Sequence, residues 1–218
     1  MFPRSRNERY AAAVGPLAYV TEYATEDEPL LMARAAAADL GGTVPVRPEV
    51  GAALRFIASA VGARTAVEVG TGCGASGIWL LRGMRPGGVL TSVDTEPEYH
   101  RMARQAFSKA GFAANQSRLI LGRAPDVLPR LSDGAYDLVF CDADARDYPD
   151  YLTAALRLLR PGGVVAFNDI LGDVLGADSG SDPDVAPELT GMVREDDRLV
   201  PMLLPLGDGL LAAVLRGA

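Results

Sequence analysis

The sequence predicts an α/β fold, a mostly parallel sheet with helices on both faces that closes in an antiparallel hairpin. Three observations predict it. From Thr65 onward, short β-branched runs alternate with helical stretches. The early strand candidates are apolar, as in a parallel sheet covered on both sides. The last two apolar runs, Leu199–Leu206 and Leu210–Leu215, flank a tight Gly207-Asp208-Gly209 turn, which suits antiparallel neighbours.

Each element follows in order. Residues 1–42 read as a helical, mostly amphipathic extension ending at Gly41-Gly42, with Ala35–Ala38 and Leu40 as strong helix formers. Residues 43–218 form the core of what is read as a single domain over 1–218. Val44-Pro45-Val46-Arg47-Pro48 is extended, because each proline restrains the residue before it. A helix follows from Glu49 to Val61. Strands are expected at Thr65–Val69, Val89–Asp94, Arg118–Leu121, Tyr136–Cys141 and Val164–Asn168. Helices are expected between them near 76–84, 97–110, 124–131 and 148–159. Leu158-Leu159-Arg160-Pro161-Gly162-Gly163 reads as a connector, and residues 172–187, rich in Gly, Asp and Pro, as a loop.

Composition narrows the function. The 218 residues carry 28 acidic and 21 basic side chains, net −7, which argues against nucleic acid as a partner. One His and two Cys exclude a four-ligand Cys/His zinc site. Any mechanism that needs a histidine would run through His100, which is read as a surface residue. The two cysteines, Cys73 and Cys141, suit a reducing compartment and are read as packing or loop-lining thiols. No apolar run approaches the roughly 18 residues of a membrane span. Arg4, Arg6 and Arg9 before Ala11–Val20 echo a signal peptide, but Glu8, Gly15 and Pro16 interrupt it, so the chain is read as cytoplasmic.

The strongest motif is Val67-Glu68-Val69-Gly70-Thr71-Gly72-Cys73-Gly74-Ala75-Ser76-Gly77, at a strand-to-helix turn. Glycines there permit a tight turn and close ligand approach, and the following helix start favours anionic groups. Two ligand classes remain open. Gly72-x-Gly74-x-x-Gly77 with Asp94 further on fits a nicotinamide dinucleotide, hence an NAD-dependent dehydrogenase. Glu68-x-Gly70-x-Gly72-x-Gly74 instead resembles the first motif of S-adenosylmethionine methyltransferases. An acidic residue before the loop suits a ligand carrying an ammonium and a sulfonium and repels a pyrophosphate. A second constellation follows. Asp142 stands at the carboxyl end of a strand, where open α/β sheets bind ligands, and Asn168-Asp169 ends the next strand. Three oxygen-bearing side chains there suit a hard cation such as Mg²⁺. Alternatively Asp142 only binds cofactor and the 168–169 pair caps a strand.

Over residues 40–216 the chain resembles the small cation-dependent O-methyltransferases of the catechol and caffeoyl-CoA type. The resemblance rests on Val46-x-x-x-x-Gly51, the Glu68 loop, Ser92-Val93-Asp94, Gly122-x-Ala124, Asp142-Ala143-Asp144, Leu159-Arg160-Pro161-Gly162-Gly163 and Gly207-Asp208-Gly209-Leu210-Leu211. It implies a Rossmann-like methyltransferase sandwich with a seven-stranded sheet, S-adenosyl-L-methionine as cofactor, and transfer of a methyl group to a phenolic or catechol-like hydroxyl of a small molecule. It also implies roles. Val46, Glu68, Gly70, Thr71, Gly72, Gly74 and Ser76 would surround the methionine portion, and Asp94 the ribose hydroxyls. Thr95 and Ala124 would lie beside the adenosine. Asp142 would lie near the cofactor amine or the acceptor oxygen, and Asp142, Asn168 and Asp169 would hold a divalent cation. Two departures stand out. Ala145, followed by Arg146, replaces the lysine of the family's Asp-Ala-Asp-Lys, and Asn168-Asp169 reverses its Asp-Asn pair. The acceptor proton would then leave to Asp144, Asp169 or water, and a catalytically inactive cofactor-binding protein is the further alternative. The family is often dimeric, which implies a homodimer. Tyr10, Val14, Leu17, Val20, Leu30 and Leu31 could face a partner, close over substrate or pack on the chain's own core.

Overall fold

A computed structural model describes residues 16–171 and 185–217. Its centre is a seven-stranded sheet with strand order β3-β2-β1-β4-β5-β7-β6. The strands are β1 Thr65–Val69, β2 Val89–Asp94, β3 Ser117–Leu121, β4 Tyr136–Cys141, β5 Leu159–Phe167, β6 Leu199–Leu204 and β7 Leu210–Leu215. The first five run parallel, and β7 pairs antiparallel with both β5 and β6. The described helices are α1 Pro16–Tyr23, α2 Glu28–Leu40, α3 Pro48–Ala60, α4 Ala75–Gly83, α5 Pro97–Lys109, α6 Ala124–Val127, α7 Tyr148–Leu158 and α8 Val185–Glu195. Proline stands in the first turn of α2, α3, α5, α6 and α7, where its missing N–H has no intrahelical partner to lose.

Strand alternation sorts the core into two layers. Ala66, Leu138, Phe140, Val164, Ala166, Leu210 and Ala212 face α2, α3, α4 and α5. Val67, Val69, Val139, Cys141, Val165, Phe167, Leu211 and Ala213 face α6, α7 and α8. At the amino ends of β1 and β4, Asp137 clasps the sheet. Its Oδ2 accepts from Arg64 N at 2.7 Å and Thr65 N at 2.9 Å, and its Oδ1 accepts from the Arg160 guanidinium. Burial alone would raise this carboxyl's pKa, but those donors outweigh it and hold the pKa below the usual range.

Several expectations need correction. The Pro161-Gly162-Gly163 connector lies inside β5, not before it. Its register jumps from Tyr136↔Leu159 to Leu138↔Val164, so the extra residues bulge, with Gly162 at φ +80°. The strand ends at Phe167, leaving Asn168 just beyond it. The 124–131 helix is one short turn followed by a 3₁₀ turn at Leu128–Arg130. Over the described part of 1–42, two helices flank a break at 24–27. Leu30 is buried in the core, whereas Leu31 and Val20 are exposed. Tyr10 and Val14 lie outside the described residues, as does most of the 172–187 loop; residues 185–187 begin α8. His100 is not a surface residue: only 4% of it is exposed. Its burial follows from its face of α5, which it shares with the buried Ala103 and Phe107.

Candidate active site

The chain reverses direction across the sheet between β1 and β4, since β2 and β3 lie on one side of β1 and β5 to β7 on the other. Loops leaving the two strands diverge there and open a crevice. The ladder hydrogen bonds continue one step past each strand. Gly70 N donates to Val93 O, Asp142 N to Val69 O, Gly122 N to Asp94 O and Asn168 N to Cys141 O, all at 2.8–3.0 Å. Residues far apart in sequence therefore stand level along one rim.

Glycine makes the rim passable. Gly70, Gly72 and Gly74 have φ of +94°, +47° and +94°, a region that other residues avoid. A Cβ on Gly70 would also collide with the carbonyl of Asp142. The loop between them is pinned by Asp94, whose Oδ2 accepts from Gly72 N at 2.9 Å while Oδ1 accepts from Glu96 N at 3.1 Å.

The resulting cavity has a volume of about 370 Å³. Val46, Gly70, Thr71, Gly72, Ser76, Asp94, Thr95, Ala124, Asp142 and Asp144 all line it. Gly74, Asn168 and Asp169 do not, and neither does Glu68, which lies wholly enclosed behind the wall. Sequence reasoning missed Tyr99, Tyr151 and the stretch Gly42–Pro45, which also line it. Tyr99 was findable as an aromatic residue in the first turn of a helix just past a strand end. Its hydroxyl donates to Gly41 O at 2.9 Å and ties the 42–46 wall to α5.

The carboxylates of the site differ in their surroundings. Glu68 Oε2 accepts from Ser92 Oγ at 2.6 Å, a pairing set by the β1–β2 register, in which these two residues are opposite. Its Oε1 is buried without a hydrogen-bond partner. Burial pushes the Glu68 pKa up to about 7; Ser76 and Ser92 oppose the rise, and Asp142 and Asp94 add to it. Burial likewise lifts Asp142 to about 6, although Asn168 Nδ2 donates to its Oδ1 at 2.9 Å. Asp144 goes the other way, because its hydrogen bonds to Arg146 hold it below the usual range. Asp169 adopts φ +56°, strained for a non-glycine residue, just past the end of β5. Cys73 and Cys141 are buried free thiols.

Known proteins resemble this chain in sequence and in fold. A family model described as O-methyltransferase matches residues 22–216. An O-methyltransferase-family protein of Mycolicibacterium vanbaalenii is 52% identical over 192 residues, covering 87% of this chain and 84% of its own length. One from Mycobacterium tuberculosis is 50% identical over 193 residues, covering 87% and 86%. Among solved structures, the O-methyltransferase TomG of Streptomyces achromogenes, involved in tomaymycin synthesis and solved with SAM, superposes with a TM-score of 0.81 at 29% identity, covering 98% of this chain and 100% of its own. An O-methyltransferase of Bacillus cereus, solved with SAH, gives 0.77 at 26% identity, covering 97% and 98%. With a family model matching residues 22–216 and relatives about half identical over most of the chain, the chain belongs to the O-methyltransferase family.

Proposed function

We propose that the protein transfers a methyl group from S-adenosyl-L-methionine to a hydroxyl of a small molecule, phenolic or catechol-like. One observation carries the cofactor reading. Among the described residues, the cavity wall holds three carboxylates, Asp94, Asp142 and Asp144, and no Lys, Arg or His. Such a wall suits a ligand bearing a sulfonium and an ammonium and repels the pyrophosphate of a dinucleotide, so the dehydrogenase alternative is not favoured. Glu68, behind that wall, adds to the negative field when it is ionised, above about pH 7.

When bound, the cofactor supplies an electrophilic methyl on sulfur. The chain aligns and holds. Asp94, fixed by Gly72 N–H, is placed to accept from ribose hydroxyls. Val46 and Ser76, on the cavity wall, would flank the methionine end, and Thr95 and Ala124 the adenosine. Orientation of this kind contributes roughly 7–11 kcal/mol to such displacements. For the acceptor proton, Asp144 is a weak base because Arg146 engages it. Asp142, on the wall and steadied by Asn168, is the better-placed carboxylate. Asp169 lies outside the cavity lining.

The cation fits less well. Asp142, Asn168 and Asp169 are an oxygen-bearing set, but Asn168 turns its amide N–H, not its oxygen, toward Asp142 Oδ1.

Calorimetry with S-adenosylhomocysteine tests the reading, paired with a labelled-methyl assay on phenolic acceptors with Mg²⁺ and with EDTA. Asp94→Ala is expected to weaken binding at least about 10-fold, the scale of a lost charged hydrogen bond. Absence of binding at millimolar ligand overturns the reading, and full activity in EDTA removes the cation.

We also infer a homodimer in a reducing, cytoplasmic setting. Two free thiols support the setting. The dimer is supported by an apolar cleft between α3 and the β6–β7 hairpin, ringed by exposed Phe56, Val200, Met202 and Val214.

A further inference from the structure

Four buried polar side chains form a hydrogen-bonded chain that runs back from the cavity wall at Thr71. Ser92 Oγ donates to Glu68 Oε2, Thr71 Oγ1 lies 2.6 Å from Ser92 Oγ, and His100 Nε2 lies 3.4 Å from Thr71 Oγ1. None is more than 4% exposed, and they come from β1, β2, the glycine loop and α5. A hydroxyl has one proton to give. Once ionised, above about pH 7, Glu68 can only accept, so the Ser92 proton goes to Glu68 and the Thr71 proton goes to Ser92. Thr71 then has nothing left to donate, and the imidazole must supply the hydrogen from Nε2.

We propose that His100 is a positioning residue of the site: its Nε2–H completes the Thr71–Ser92–Glu68 chain and pins Thr71, holding the glycine loop in the shape that receives the amino-acid end of the cofactor. The inference rests on the cofactor reading above. Thr71 sits between Gly70 and Gly72, both at positive φ, so it supplies the only side chain by which that turn can be anchored. Asp94 holds the next residue, Gly72, from the other side. Burial keeps the imidazole neutral, against the pull of Asp94 and with the help of Arg104, which suits a ring with a single N–H.

The chain contains one histidine, so a ¹⁵N spectrum of histidine-labelled protein shows one imidazole and needs no assignment. At mildly alkaline pH the ligand-free protein is expected to show the neutral Nε2–H tautomer, and Thr71→Val to lose that preference. An Nδ1–H ring or an imidazolium in the wild type overturns the proposal, whether or not any variant folds. Kinetics give the second arm. His100→Leu fills the space without a donor and is expected to raise KM for S-adenosylmethionine about 3- to 10-fold, the scale of one lost hydrogen bond, with kcat at saturation nearly unchanged. His100→Gln restores an N–H and is expected to recover most of the loss. Equal effects of Leu and Gln, or none from Leu, overturn the positioning role alone. A wild-type protein that binds no S-adenosylhomocysteine overturns the cofactor reading and this role with it.

Discussion

Glu68 occupies a strand position at which its neighbours of the same face, Ala66 on β1 and Phe140 on β4, are apolar. Burying a carboxylate there opposes its charged form, and its pKa rises from 4.5 to about 7. The folded state therefore binds this proton more tightly than the unfolded chain does. The stability tied to it is complete below about pH 4.5 and is lost as pH rises through about 7. Asp27, Asp137, Asp144 and Asp196 are shifted below 3.8 and change charge at lower pH, outside that window, whereas Asp142, raised to about 6, and His100, lowered from 6.5, titrate in both proteins and are subtracted by the comparison with the variant. Thermal unfolding of wild type and Glu68→Gln from pH 4.5 to 8 isolates the effect. The wild type is expected to lose stability relative to the variant, on the order of 3 kcal/mol across the window. A difference that does not vary with pH counts against it. The sequence showed Glu68 as an acidic residue ahead of a glycine loop. It did not show that the side chain faces Ser92 across the β1–β2 pair, because register joins residues 24 apart.

At the scale of elements, strand and helix positions were largely legible because their signals are local. Apolar runs bounded by turns gave β1, β2, β4 and β7 their observed limits. His100 was misread, although Ala103 and Phe107 share its face of α5 and would have revealed its burial. The β5 bulge was not legible: Pro161-Gly162-Gly163 resembles a turn locally, and only pairing with β4 makes it part of a strand. Helix packing was equally hidden. The interior glycine of α3, Gly51, lies against Trp79 of α4, where a Cβ would run into the indole. Gly51→Ala is therefore expected to destabilise the protein by roughly 1–3 kcal/mol through overpacking, despite its better helix propensity. Chemical denaturation would show it as a lower midpoint with an unchanged slope, and an unchanged midpoint would argue for slack between α3 and α4.

At the scale of the whole molecule, the apolar cleft beside β6 and β7 is a surface feature that the active site does not explain. Phe56 is 73% exposed and Val200 48%, an unusual loss of burial for side chains that neighbour each other. Light scattering is expected to give the mass of two chains for the wild type and of one for Phe56→Asp combined with Met202→Glu. A monomeric wild type at micromolar concentration would remove the dimer. By itself the sequence determined the α/β class, the closing hairpin, the glycine loop and the acidic residues set at strand ends, because strand and helix periods and turn chemistry act over a few residues. Only the tertiary structure decided which of those residues share a wall. It put Asp94, Asp142 and Asp144 on the cavity, moved Glu68 behind it, engaged Asp144 with Arg146 and brought His100 to Thr71. The physical reason is that strand order and register, set by burial of two apolar layers across the whole sheet, place side chains together that the chain itself keeps far apart.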